Sequence, residues 1–165
     1  MKKISQIIDR LNNLVGESAK WLCLLLVFLL CFDVIMRYCF SNSKVWMLEL
    51  EWHLFALIFL LGAGYTFLHD EHVRVDVFYS KWSKKKKAWH DLISTIILLL
   101  PWTMVVIYYG INYGLNSFSY KETSPNPGGL PALYIIKFAI SLGFLLLLLQ
   151  AISSIIKQID TIKER

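Results

Sequence analysis

Four long apolar runs decide which solvent this chain folds in. Residues 21–40 carry only Asp33 and Arg37 as charges, residues 50–68 only Glu51, and residues 92–109 and 138–156 none. A helix needs roughly 20 apolar residues to cross the hydrocarbon core of a bilayer, and each run is close to that length. The chain is 56% hydrophobic over 165 residues, more apolar surface than a soluble domain of this size can bury. The expected fold is therefore an all-α membrane protein with transmembrane helices at 19–40, 50–69, 90–113 and 132–156. Too few residues remain for a second domain, so 1–165 reads as one membrane domain.

The net charge of +5 would suit nucleic acid, but its distribution points to lipid. Lys2, Lys3, Arg10 and Lys20 precede the first run; Arg74, Lys81 and Lys84 to Lys87 lie between the second and third; Lys157, Lys163 and Arg165 follow the fourth. The other two connections contain only Lys44 and Lys121. Under the positive-inside rule this places both termini in the cytoplasm, N-in and C-in. Lys84, Lys85, Lys86 and Lys87, with Trp82 and Trp89 beside them, are expected to anchor the chain at an anionic lipid surface. No nucleic-acid partner is expected.

Residues 3–17 place Ile4, Ile7, Ile8, Leu11 and Val15 at helical spacing, with polar residues on the other faces. This predicts an amphipathic helix lying in the membrane interface. Val75, Phe78, Tyr79 and Trp82 recur in the same way and predict a second interfacial helix between crossings two and three. Ser83 is placed to cap the third helix, and Pro101 predicts a mild kink within it. Cys23, Cys31 and Cys39 are spaced by eight, about 80° apart round a helix. They share no face, have no metal-ligand spacing and read as small apolar filler.

Asp33 and Arg37 are four apart and share a helix face. They lie roughly 18 and 24 Å along the first crossing, where charges are expensive and rarely face lipid. The short connection after residue 40 makes the second crossing antiparallel and adjacent, which brings Glu49 and Glu51 to a similar depth. Two arrangements follow: an Arg37–carboxylate cluster with Glu49 or Glu51 as partner, or an Asp33–Arg37 pair within one helix with both glutamates at the water interface. His53 and His69 are about 24 Å apart along one helix, so they cannot share a metal or haem; His69 and His90 could both approach the cytoplasmic face. No nucleophile, Cys-x-x-Cys-His or phosphate-loop pattern is present, so no catalysis and no cofactor are expected in this chain. The loop around residues 115–133 is turn-rich; it is either a docking surface or a plain connector. Ala139-x-x-x-Gly143 permits close helix packing.

Together these residues suggest a family. Arg37-Tyr38-x-Phe40, Trp46, Glu49-x-Glu51, Gly62, His72-Val73-Arg74-Val75-Asp76, Leu130-Pro131 and Lys137-Phe138-Ala139-Ile140-Ser141-Leu142-Gly143 resemble the small membrane (Q, DctQ-like) subunit of tripartite ATP-independent periplasmic (TRAP) transporters. The family often has adjacent glutamates where Leu50 separates Glu49 from Glu51, and proline where this chain has Ser141. The resemblance implies a scaffold subunit of a sodium-coupled importer of organic acids, of the sialic acid or dicarboxylate class, in the bacterial inner membrane. It implies a large membrane subunit (M) that holds substrate and sodium, and a periplasmic substrate-binding protein. Asp33, Arg37, Glu49, Glu51, Trp52, Gly62, His72, Arg74, Asp76 and Gly143 are the expected interface or structural residues. Two other readings stay open: a haem-bearing anchor of a respiratory complex, and a stand-alone four-helix exporter using Asp33.

Overall fold

The computed structural model describes residues 2–70 and 79–163. Among them the regular elements are all helical. Helix α1 spans Lys2–Phe40, α2 Val45–Leu68, α3 Lys84–Ser94, α4 Leu100–Ser119 and α5 Tyr134–Lys163, and a π-helical turn, Thr95–Leu99, joins α3 to α4. Four segments are long and apolar enough to cross a membrane: α1, α2, the joined α3–α4 unit and α5.

Side-chain contacts give the direction of each pair. His69 meets Asn13 and Tyr65 packs on Gly16, so α1 and α2 are antiparallel. Gly143 packs on Leu60 and Gly64 on the Leu146 carbonyl, so α2 and α5 run the same way. Gly110 faces Ser141 and Gly114 faces Phe138, which makes α4 antiparallel to α5. Helix α5 touches all the others and is the hub of the bundle.

The interior holds as many polar or charged residues as hydrophobic ones, while most large apolar side chains point outward. Lipid is as apolar as leucine, so burial of leucine drives nothing in a membrane; close packing and internal hydrogen bonds must hold helices together. Glycines supply the close packing. A Cβ on Gly143 would lie 2.7 Å from the Leu60 carbonyl oxygen, and one on Gly64 would lie 2.1 Å from Asn12 Oδ1. Gly62 has nothing within 4 Å of its would-be Cβ, so of the two glycines in that run it is Gly64 that makes the contact.

No boundary separates the expected interfacial helix 3–17 from the first crossing, because α1 runs unbroken through it. Its first turns turn Ser5, Ile8, Asn12 and Gly16 inward, and leave Ile4, Ile7, Leu11 and Leu14 exposed. The expected helix between crossings two and three falls mostly on 71–78, outside the described residues. The three cysteines are exposed rather than filling the interior. Ser83 caps α3 as its position predicts, its Oγ accepting from the Lys86 N–H. Pro101 lacks an N–H, and its ring crowds the carbonyl four residues back. The chain absorbs this in the wider π turn, where the Leu100 N–H reaches the Thr95 carbonyl.

Candidate functional site

The two ends of the bundle differ. One end carries the connection between α4 and α5 and is called here the loop end; the other carries Lys84–Lys87 and is called the lysine end.

At the loop end, α1 and α4 both stop in a left-handed residue, Ser41 (φ 49°) and Lys121 (φ 47°). After Lys121 the Glu122 N–H reaches back five residues to Ser117, the Schellman closure, and after Ser41 the Asn42 N–H reaches back six to Met36, both at 3.0 Å. The chain after Lys121 folds tightly around one carboxylate. Glu49, buried in the second turn of α2, accepts the Ser124 hydroxyl, the Asn126 Nδ2 at 3.1 Å and the Leu130 backbone N–H at 2.6 Å. Ser124 and Leu130 also close a backbone bond of 3.0 Å. A Cβ on Gly129 would lie 2.3 Å from Ser124 Oγ and 2.7 Å from Glu49 Oε2, so only glycine fits there. The loop is thus a fixed cap on α2.

Beside it, Arg37 Nη2 donates to Asp33 Oδ2 at 2.6 Å. Asp33 is buried, whereas the Arg37 side chain is 48% exposed. Glu51 is buried within electrostatic reach of both. Asp33 Oδ1 and Glu51 Oε1 accept no hydrogen bond in this arrangement. The ion pair is the one within α1, and both glutamates are buried. Glu51 joins the cluster by proximity, and Glu49 belongs to the loop.

A second ion pair joins the loop to the hub helix. Lys137 Nζ bonds Glu122 and lies 4.1 Å over the Tyr113 ring. The Lys137 ammonium, and after it the Ser117 hydroxyl, hold the Glu122 carboxyl below its usual range.

The remaining predicted residues are dispersed. Trp52 is half exposed and stacks on His53, centroids 3.9 Å apart. Gly143 lies mid-bundle against Leu60. His72, Arg74 and Asp76 lie outside the described residues. At the lysine end, Lys84, Lys85 and Lys86 are exposed and Lys87 is half buried. Lys86 sits 4.7 Å over Trp82 and Lys87 4.9 Å over Tyr79, while Trp89 is exposed. His69 stacks on Tyr65, and His90 packs edge-on to Trp82.

One cluster escaped the sequence reading. Asp9 Oδ1 accepts from Gln150 Nε2 at 2.9 Å and from the Ser153 hydroxyl at 2.7 Å, and Asp9 Oδ2 meets Lys157 Nζ at 2.7 Å. Asn12 Nδ2 donates to Gln150 Oε1 at 3.0 Å, and Ser5 and Ser153 hydroxyls pair at 2.7 Å. The signal was available: Ser5, Asp9, Asn12 and Gly16 recur at helical spacing, as do Gln150, Ser153 and Lys157. Two such stripes on different helices zip together. The network ties α1 to the hub helix.

No curated protein matches this chain. Residues 26–161 match the family pattern of the DctQ component of tripartite ATP-independent periplasmic transporters. The match covers the hairpin of α1 and α2, the loop end and nearly all of α5, and begins beyond Ser5, Asp9 and Asn12. Four membrane-length helices, a structured loop end and a pattern match over most of its length lead to one conclusion: the chain belongs to the DctQ family, the small membrane component of TRAP transporters, and is a transporter component and not an enzyme.

Proposed function

We propose that this chain is the static scaffold of a sodium-coupled importer of an organic acid. It holds a large membrane subunit that carries substrate and sodium, and its loop end helps to seat a periplasmic substrate-binding protein. Both termini and the lysine end face the cytoplasm of an inner membrane, in keeping with the lysine distribution.

The observation that carries this reading is the Glu49-capped loop. A connector of turn residues has no need of a buried carboxylate, whereas a docking platform needs a loop that keeps one shape. The internal polar groups also favour a scaffold. Thr103 bonds its own helix at Leu100, Gln150 bonds Asp9 and Asn12, and Asp33 bonds Arg37. Each has its partner inside the bundle, within one helix or across two, in place of lining a path. In the haem-anchor reading His69 and His90 would have to turn towards one iron, yet each is stacked in its own aromatic contact.

Co-purification tests the proposal. The chain, tagged and co-expressed with the neighbouring genes of its operon, is expected to bring down one much larger polytopic membrane protein. Purification of the chain with no such partner would refute the scaffold role.

A further inference from the structure

Two adjoining cavities open near the lysine end, between the hub helix and the α3–α4 unit. The larger, about 800 Å³, is walled by Lys84, Lys87, Ser154 and Gln158, with the rings of Tyr79 and Trp82. The smaller, about 400 Å³, is apolar and walled by Leu98, Leu99, Trp102 and Leu147. Phe67, Ser94 and Thr95 line both, so one leads into the other. The apolar part sits at the π turn, which Pro101 forces on the helix. Lys87 and Trp102 are 15 residues apart, roughly 22 Å along the axis, which is about the depth of one leaflet with its headgroup layer.

The geometry points to a resident glycerophospholipid, its phosphate against Lys84 and Lys87 and one acyl chain in the groove beside Leu98 and Trp102. The shape alone would suit any amphiphile; the charges select a phosphate. Lys84 and Lys87 have no carboxylate partner among the described residues, whereas Lys157 in the same wall is taken by Asp9. The Lys87 ammonium is already turned over the Tyr79 ring, so it is presented at the cavity wall. Asp91, also in the wall, takes the Tyr79 hydroxyl at 2.6 Å, and Asp70 completes the charged lining. Ser154 and Gln158 offer neutral donors to the ester and phosphate oxygens. Basic pockets between helices near a membrane face commonly take lipid headgroups.

Native mass spectrometry of the full chain, stripped of lipid and then offered phosphatidylglycerol or diacylglycerol, tests this. Phosphatidylglycerol is expected to stay bound through detergent removal, and diacylglycerol, which lacks the phosphate, is not. Replacing Lys84→Gln and Lys87→Gln together should weaken retention about 25-fold, from roughly fivefold per lysine at an anionic group. Leu98→Trp, which fills the groove without touching the charges, should weaken it as well. Lys84 and Leu98 are exposed and Lys87 is half buried, so the fold is expected to persist, and unchanged helix content by circular dichroism would verify this. Equal retention of the two lipids, or retention unchanged in both variants, would overturn the assignment. So would displacement of the lipid when the large subunit is added, since the groove would then be a seat for a protein helix.

Discussion

Glu49 is the residue on which the loop end turns, because one carboxylate answers three donors from a segment 75 to 81 residues away. Glu49→Ala removes all three acceptors at once and should free the loop, so that limited proteolysis between residues 120 and 133 becomes several-fold faster. Glu49→Gln, which keeps the shape and one acceptor oxygen, should fall between the two. Arg37 and Asp33 form the other test at this scale. Arg37→Ala strands a buried carboxylate, which costs about 1–3 kcal/mol, whereas Asp33→Asn with Arg37 intact leaves the cation half exposed to solvent and costs less. Thermal unfolding in detergent should rank the two variants in that order. Glu122 gives a pH dependence. Its carboxyl is held below the usual range by Lys137, so the bridge contributes stability above the unfolded carboxylate value and loses it as pH falls through the lower folded value. Loop proteolysis should therefore accelerate on acidification through that window, and Glu122→Gln should remove the dependence.

Helix packing gives the cleanest contrast at the scale of elements. Gly143→Ala pushes a methyl group into the Leu60 backbone, while Gly62→Ala meets open space. Overpacking of this kind typically costs about 1–3 kcal/mol, and the Gly62 change should cost nothing measurable. Melting temperatures of the two variants would show it. Gln150→Leu should cost about 1 kcal/mol by depriving Asp9 and Asn12 of a shared partner. The elements themselves were legible in the sequence, because apolar run length is a one-dimensional property. The Ser83 cap was legible for the same reason, being a local signal. The π turn was not, since Pro101 announces a disturbance without saying which hydrogen bond gives way. The loop cap was not either. Glu49 and Ser124 lie far apart in sequence, and nothing in the spacing of either says that they meet.

At the scale of the whole molecule the arrangement is a small bundle turned inside out, with glycine, serine and carboxamide contacts within and large apolar side chains outside. The resemblance read from Arg37 to Gly143 and the family match over residues 26–161 rest on much the same residues. The stripe of Ser5, Asp9 and Asn12 lies before that match, and its partners Gln150, Ser153 and Lys157 lie within it. On the proposed reading, a large subunit and a binding protein supply what it lacks. Sodium-driven solute uptake into proteoliposomes tests that most directly. Vesicles holding this chain alone should take up no organic acid, and vesicles holding it with its large subunit and binding protein should do so under an inward sodium gradient. Uptake by the chain alone would contradict the scaffold account.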